Sequence, residues 1–302
     1  MNLWIGVTDS SWYNFLSELQ PEEVNFWQPG GKNNFKVLKP GEPFLFKLHS
    51  PLNYIVGGGY FVKHSFIPIS LAWEAFRKKN GADEFTAFRE KVMKYRSNNT
   101  IVETNPVIGC IILAQPFFLP RNEWIPIPKD WSSNIVQGKT YDTSNNEGAK
   151  LWDIVQSKLG TMAIAEGQPR YGEEYLTRPR LGQGAFRILV TDAYNRKCAI
   201  TGERTLPVLE SAHIKPFSNE GPHAVNNGIL LRSDLHKLFD LGYITITSDF
   251  HIDVSKRIKE KYENGRDYYA LQGKELISLP ENLKERPFMK YLDWHNENVF
   301  LS

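Results

Sequence analysis

The stretch Ser211-Ala212-His213-Ile214-Lys215-Pro216 is followed by Asn226-Asn227-Gly228-Ile229-Leu230-Leu231, and then by Asp234-Leu235-His236-Lys237-Leu238-Phe239-Asp240. Leu206 to Ile214 is a short apolar run stopped by Pro216, and it reads as a strand. Ser218 to Gly221 is turn chemistry, because Gly and Asn accept backbone angles closed to most residues. Gly228 to Leu231 reads as the returning strand. Ser233 is placed to cap a helix, on which Leu235, Leu238 and Phe239 share one stripe at helical spacing with His236 beside it. Gly242 ends that helix, and Tyr243 to Thr247 alternates as a further strand. The pattern is a ββα unit with His213 at a strand end, Asn227 in a loop and His236 on a helix.

Such a trio suits hydrolysis of a phosphodiester. That reaction needs a base to take a proton from water and a metal to stabilise charge on the phosphate and the leaving oxygen. A lone histidine is usually a solvated or structural residue; the order of the three groups on one unit is what carries the reading. His223 and His251 read as structural or surface, and His295 beside Trp294 as a packing residue near the terminus. Asp240 lies near the helix end, where the helix dipole disfavours a carboxylate, so a local loop bond and a role at the site both stay open.

The order His, Asn, His on strand, loop and helix resembles the HNH endonucleases of the ββα-metal class. The lead-in Arg180-Leu181-Gly182-Gln183-Gly184-Ala185-Phe186-Arg187, the run Ala193 to Gly202 and the ending Tyr291 to Phe300 are similar to bacterial restriction-type HNH domains. The resemblance spans residues 178–302. It implies His213 as the general base, Asn227 as the residue that holds the base or shapes its loop, and His236 as a ligand to a divalent metal, Mg²⁺ or Mn²⁺. Many HNH enzymes carry a metal-binding Asp or His immediately before the base; here that position is Ala212. A further ligand is therefore expected from Glu210, His223 or Asp234. Some HNH proteins also carry paired Cys-x-x-Cys zinc staples, but Cys198-Ala199-Ile200-Thr201 has no second thiol, so no structural zinc is expected.

The two cysteines, Cys110 and Cys198, are far apart, and the chain reads as reduced and cytoplasmic, with Cys198 a small buried residue. Hydrophobic residues make up 41% and charged residues 23%, which argues against disorder. No apolar run approaches the roughly 20 residues that span a bilayer, so no membrane partner is expected. Met1 to Val7 has neither the positive region nor the cleavage signal of a secretory leader. A net charge of +2 is not that of a DNA-coating protein, so the distribution of charge matters more than its sum. Between Arg178 and Arg204 stand six basic residues (Arg178, Arg180, Arg187, Arg196, Lys197, Arg204) against two acidic ones (Asp192, Glu203). An ordinary solvated helix face would look similar. Its position beside the ββα unit favours contact with a DNA backbone through Arg180, Gln183, Arg187, Arg196 and Lys197.

In the first half, Leu3 to Val7, Pro43 to Leu48, Tyr54 to Val62 and Val107 to Leu113 read as strands, and Leu71 to Asn80 and Glu84 to Tyr95 as helices. The glycines of Gly57-Gly58-Gly59 permit a bulge or close approach of another backbone. No Gly-Lys-Ser/Thr follows them, so they are not a phosphate loop. A small bent β-barrel with flanking helices fits this pattern. With Trp4 to Asp9 and Trp12, the Lys39-Pro40-Gly41-Glu42 turn, Val56 to Tyr60 and Trp131 to Asp142, residues 1–145 resemble the PUA-like superfamily, particularly EVE-type domains. The resemblance implies a reader of modified bases that flips the base into an aromatic pocket. Trp27, Phe35, Tyr54 and Tyr60 in or near loops are the candidate stacking faces, and Asn33, Asn34 and Lys32 are the candidates for the base edge or a phosphate. Most aromatics of a barrel are core, and that plainer reading stands for each of the four.

The expected fold class is α+β: a PUA-like barrel over 1–145, a linker with a short helix (Ala149 to Leu159) over 146–177, and an HNH nuclease domain over 178–302. The expected function is a modification-dependent restriction endonuclease that cuts double-stranded DNA carrying modified bases, such as modified cytosine, in phage defence. A barrel that senses RNA or a small nucleotide, and a DNA-binding protein with a decayed nuclease (Ala212 being the hint), are the alternatives. Cutting both strands with one such site takes a dimer or two successive nicks, and a homodimer is expected. Which base is read, in what context, and where the cut falls are not written in the sequence.

Overall fold

The chain opens with β1 (Asn2–Thr8), which turns through Asp9 into α1 (Ser10–Leu19). Asp9 Oδ1 accepts from the Trp12 amide at 2.7 Å, which satisfies an N–H that no helical carbonyl can reach. β2 (Glu23–Gln28), β3 (Pro43–Leu48), β4 (Tyr54–Pro68), α2 (Ile69–Phe76), α3 (Phe85–Lys94), β5 (Val107–Phe118), β6 (Ile125–Pro126), β7 (Gly138–Asp142) and α4 (Asn146–Ala165) follow. The computed structural model describes residues 1–96, 103–165 and 181–302. The chain forms two units, Met1–Gly182 and Gln183–Ser302.

The first unit is a seven-stranded sheet in the order β2-β5-β4-β3-β1-β7, with β6 on β4. β1 runs parallel to β3, and the other pairs are antiparallel. The β4–β5 register shifts between Gly58 and Tyr60, within the glycine run. The expected closed barrel is not formed: among the described residues β2 pairs only with β5 and β7 only with β1, so the sheet keeps two edges. Among these residues rings, and no ladder, join β2 to the face of β1. Phe26 of β2 packs on Phe44 at 4.7 Å and on Trp12 at 5.4 Å, and its ring approaches the backbone of β1 at Gly6. Aromatic side chains of that size fill the space in which a ladder would need strands about 4.8 Å apart.

Alternation along β3 feeds two cores. Phe44, Phe46 and Leu48 join Trp12, Leu16 and Phe118 on one face, while Leu45 joins Leu3, Ile5 and Ile55 on the other. Leu151, Val155 and Leu159 of α4 are buried in that second cluster, so the helix that follows the sheet contributes to its core. Residues 166–177 of the expected connector lie outside the described residues.

The second unit comprises α5 (Gln183–Ala193), β8 (Leu209–His213), β9 (Gly228–Arg232), α6 (Ser233–Asp240), β10 (Ile244–Ile246), β11 (Ile252–Val254), α7 (Arg257–Tyr262), α8 (Arg266–Tyr269) and α9 (Met289–Asn298). β8 and β9 are antiparallel, with His213 opposite Gly228. β8 is shorter than the apolar run, because Leu206–Val208 is a 3₁₀ turn whose Pro207 lacks a ladder donor. Ser233 is the first residue of α6 rather than its cap; Arg232 holds that position without a side-chain capping bond. The core gathers Phe186, Tyr194, Cys198, Leu230, Leu235, Phe239 and Leu292. It joins α5, the hairpin, α6 and α9 into one ββα-centred body.

Candidate active site

His213 ends β8, where the strand's last ladder position turns its side chain to a cavity of about 440 Å³. Its imidazole stacks on Phe186 of α5, with centroids 3.9 Å apart and planes 11° from parallel. Gly228 lets α5 approach this closely, since a Cβ there would lie 2.4 Å from Val190 and 2.9 Å from Phe186. Burial first, then the neighbouring His223 and His236, pull the His213 pKa down to about 4, so the ring is neutral at physiological pH. A neutral imidazole keeps a lone pair for a proton.

Asn227 is fully buried and acts on backbone. Its Oδ1 accepts from the Lys215 amide at 2.9 Å, and its Nδ2 donates to the carbonyls of Lys215 and Pro222, each at 2.9 Å. Three bonds from one side chain staple the loop from Lys215 to Pro222 to the start of β9. Gly221 is needed inside that loop, because a Cβ would lie 1.8 Å from the Lys215 carbonyl. Asn227 thus shapes the loop that follows His213.

His236 lies one turn into α6. Its Nδ1 is 2.6 Å from Glu210 Oε2, and its Nε2 is 3.2 Å from Asp240 Oδ2, four residues along the same helix. Asp240 therefore bonds into the site and not to a loop. Burial raises the Asp240 pKa, His236 opposes this and Glu210 adds to it. Two carboxylates and an imidazole form a donor set suited to a hard divalent cation. Here they are bonded to one another, and among the described residues no group of three or more His, Cys, Asp or Glu is disposed to hold a metal ion.

The other candidate ligands lie elsewhere. Asp234 forms a two-point ion pair with Arg232 at 2.6 and 2.7 Å, and that partner holds its carboxyl below the usual range. His223 bonds to His213, its Nδ1 lying 2.9 Å from His213 Nε2, and stacks on Phe217 at 4.7 Å and 7°. Of the expected backbone contacts, Gln183 and Arg187, one helical turn apart on α5, line the same cavity as His213, Glu210, His236 and Asp240. Arg196 and Lys197 follow the end of α5, with Arg196 paired to Asp192 at 3.5 Å, and neither lines the cavity. Arg180 lies outside the described residues.

Sequence reading missed Phe186, Phe217 and the His213–His223 bond. Phe186 looks like one more apolar residue of a helical stripe, and nothing in its spacing says that it faces an imidazole. His295 also borders the cavity. It is buried, stacks on Phe239 at 3.8 Å, and bonds through Nδ1 to Thr245 at 2.8 Å and through Nε2 to the Phe239 carbonyl at 3.1 Å. Burial brings its pKa to about 4, against a weaker upward pull from the Phe239 carbonyl.

Residues 198–247 match the HNH endonuclease family. The match contains β8, the Asn227 loop and α6, so the second unit carries an HNH endonuclease module. Among solved structures, the ASCH protein of Zymomonas mobilis is 9% identical over 50% of this chain and 94% of its own, with a TM-score of 0.33. The modification-dependent restriction endonuclease TagI is 14% identical over 93% of this chain and 78% of its own, with a TM-score of 0.28. No curated protein matches the chain.

The first unit has its own cavity, of about 410 Å³, where the ends of β1 and β2 meet the start of α1. Trp12, Phe26, Trp27 and Tyr95 give it aromatic walls, and Thr8, Asn33, His49 and Gln137 give it polar ones. Trp27 and Asn33, two of the five residues expected at a base pocket, line it. Phe35 is instead a core residue, 5.3 Å from Trp4 and 5.5 Å from Phe61. Tyr60 is buried within β4, and Tyr54 packs at a tilt on Trp124 at 5.9 Å; neither borders the cavity. The cavity lies in a seam between the ends of β1 and β2.

Proposed function

We propose that the protein is a modification-dependent DNA restriction endonuclease. In this reading the HNH unit hydrolyses a phosphodiester with His213 as general base, and the first unit selects DNA that carries a modified base. One observation carries the nuclease chemistry: a neutral, ring-stacked His213 shares a cavity with the Glu210–His236–Asp240 cluster. His213 takes the proton of the attacking water, and the Phe186 stack fixes the plane in which it does so. Asn227 holds the loop that carries the next residues of the site. Gln183 and Arg187 seat the phosphate from α5. Glu210 and His236 would hold a divalent metal, which supplies Lewis-acid stabilisation of the phosphate when bound. The substrate is double-stranded DNA with a modified base such as a modified cytosine, and the cavity walled by Trp12, Phe26, Trp27 and Tyr95 offers flat faces for a flipped base, with Asn33 at its edge. A homodimer would place two such sites on the two strands.

The test is a panel. The purified protein is incubated with Mg²⁺ or Mn²⁺ and with methylated, hydroxymethylated or plain duplexes. Cleavage confined to modified DNA supports the proposal. Cleavage only after a nucleotide or RNA is added assigns the first unit to sensing. Binding without cleavage under any divalent metal makes the protein a DNA-binding one with a decayed nuclease.

A further inference from the structure

We propose that His223 is the positioning residue of the general base: its Nδ1 accepts a hydrogen bond from Nε2–H of His213, which leaves the His213 Nδ1 lone pair to take the proton of the attacking water. The inference rests on the reading of His213 as the base.

The geometry is a row of four rings. Phe186 stacks on His213 at 3.9 Å, His213 Nε2 meets His223 Nδ1 at 2.9 Å, and His223 stacks on Phe217 at 4.7 Å. Both imidazoles are thus fixed in plane by an aromatic partner, and the bond between them is fixed in length. The loop is fixed as well. Asn227 Nδ2 donates to the carbonyl of Pro222, the residue before His223. The buried asparagine therefore holds His223, and His223 holds one nitrogen of His213.

With His213 as the base, proton counting gives the bond one direction. A neutral imidazole has one N–H and one lone pair. Were His223 the donor, the His213 lone pair at Nε2 would be engaged and its own proton would sit on Nδ1, leaving no nitrogen to act as a base. With the proton on His213 Nε2, Nδ1 is the basic atom. In the reaction one O–H bond of water breaks and one N–H bond forms at Nδ1 while the oxygen bonds phosphorus. The leaving oxygen departs with the P–O electron pair and takes a proton from solvent. His213 becomes an imidazolium in a site whose burial opposes that charge. Its Nε2–H bond to His223 Nδ1 then becomes charge-assisted and tightens. An interaction that strengthens as the reaction proceeds raises kcat and leaves ground-state binding alone.

Substitutions at His223 separate this role from packing. His223→Phe keeps the stack on Phe217 and removes the acceptor. His223→Asn loses the stack but puts an amide oxygen in the place of Nδ1. The substrate is a supercoiled plasmid carrying methylated or hydroxymethylated cytosine, cut in the presence of Mn²⁺. His223→Phe is expected to lower kcat by roughly 10- to 100-fold at unchanged KM, the span of one hydrogen bond to a charged group. His223→Asn is expected to recover most of that loss. A packing role gives the opposite order, so wild-type kcat in His223→Phe, or a greater loss in His223→Asn, overturns the proposal. Imidazole ¹⁵N shifts of the unsubstituted protein give a second reading: protonation of His213 at Nε2 agrees, and at Nδ1 refutes. His213→Ala separates the two levels. Wild-type turnover in that variant sinks the base reading itself, whereas a dead His213→Ala beside a normal His223→Phe sinks only the role of His223.

Discussion

Glu210 Oε2 lies 2.6 Å from His236 Nδ1, across 26 residues of sequence and the β8–α6 interface. In the proposed reading, Glu210 supplies the ligand that Ala212 cannot. Where a metal-binding side chain is common directly before the base, this chain has a methyl group turned into the core, and the carboxylate stands two residues earlier on the same strand. Glu210→Gln and His236→Ala should each weaken binding of Mn²⁺ and slow cleavage together, because each removes a donor suited to that ion. Raising Mn²⁺ should recover part of the activity. Isothermal calorimetry and a cleavage titration check this, and unchanged metal affinity in His236→Ala would make that residue structural.

His213→Ala should abolish cleavage while leaving the melting temperature and DNA binding close to those of the unsubstituted protein. The pH dependence follows with its sign. The protonated ring cannot accept a proton, and its pKa is held at about 4. The limb of the cleavage rate that His213 controls should therefore rise as pH increases through about 4, and be flat by pH 6. A limb centred near 6.5, the ordinary histidine value, would show that burial does not act on the base as described.

Asn227→Ala should cost stability as well as activity. It leaves the Lys215 and Pro222 carbonyls and the Lys215 amide without their partner. Stranding buried polar groups costs about 1–3 kcal/mol each where water cannot reach them. Asn227→Asp keeps the shape and the acceptor but cannot donate to either carbonyl, so it should fall between the two. Thermal melting of the three proteins orders them.

His295 is the second histidine kept neutral, and it is almost fully buried. Its folded pKa of about 4 lies below the unfolded value, so its contribution is complete above about pH 6.5 and is lost as pH falls toward 4. The loss is of order 3 kcal/mol at most. Melting temperature measured between pH 7 and 4.5 should fall more steeply in the unsubstituted protein than in His295→Phe, which keeps the stack on Phe239 and cannot titrate. Equal slopes would remove His295 from the acid response.

Much of the second unit was legible because its signals are local. Leu235 and Phe239 mark the buried face of α6, and Asn227-Gly228 marks the turn into β9, from a few residues each. The His213–His223 bond was not legible, since it joins a strand end to a loop whose path is set by Asn227 and Gly221. The open sheet was not legible either. Alternation along β1 or β3 gives the two faces of a strand but says nothing of whether distant edges meet, and here Phe26 of β2 packs as a ring on Phe44 and Trp12. That packing also explains the base-pocket residues. Phe35 and Tyr60 are aromatic and near turns, yet they point into cores, and only Trp27 and Asn33 reach the seam.

The division of labour between the units gives the last prediction. Leu151, Val155 and Leu159 of α4 are buried against Leu3, Ile5 and Leu45. Fully burying one such side chain is worth about 1.5–3 kcal/mol, so a fragment ending at residue 145 forgoes several times that and exposes the strands it leaves behind. Fragment 1–165 should therefore melt well above fragment 1–145 and bind modified duplexes without cutting them. Fragment 183–302 has its own core, His213, Asn227 and the Glu210–His236 pair. It should nick DNA weakly and without regard to modification, since contacts to phosphates carry no base information. Added salt should weaken the second fragment strongly, because phosphate contacts release counterions, and should affect the modified-base preference of the first much less, because stacking does not. Binding and cleavage by both fragments on matched modified and plain duplexes, at two salt concentrations, make the comparison. If fragment 183–302 alone keeps the full preference for modified DNA, selection belongs to the HNH unit and the aromatic seam of the first unit has another ligand.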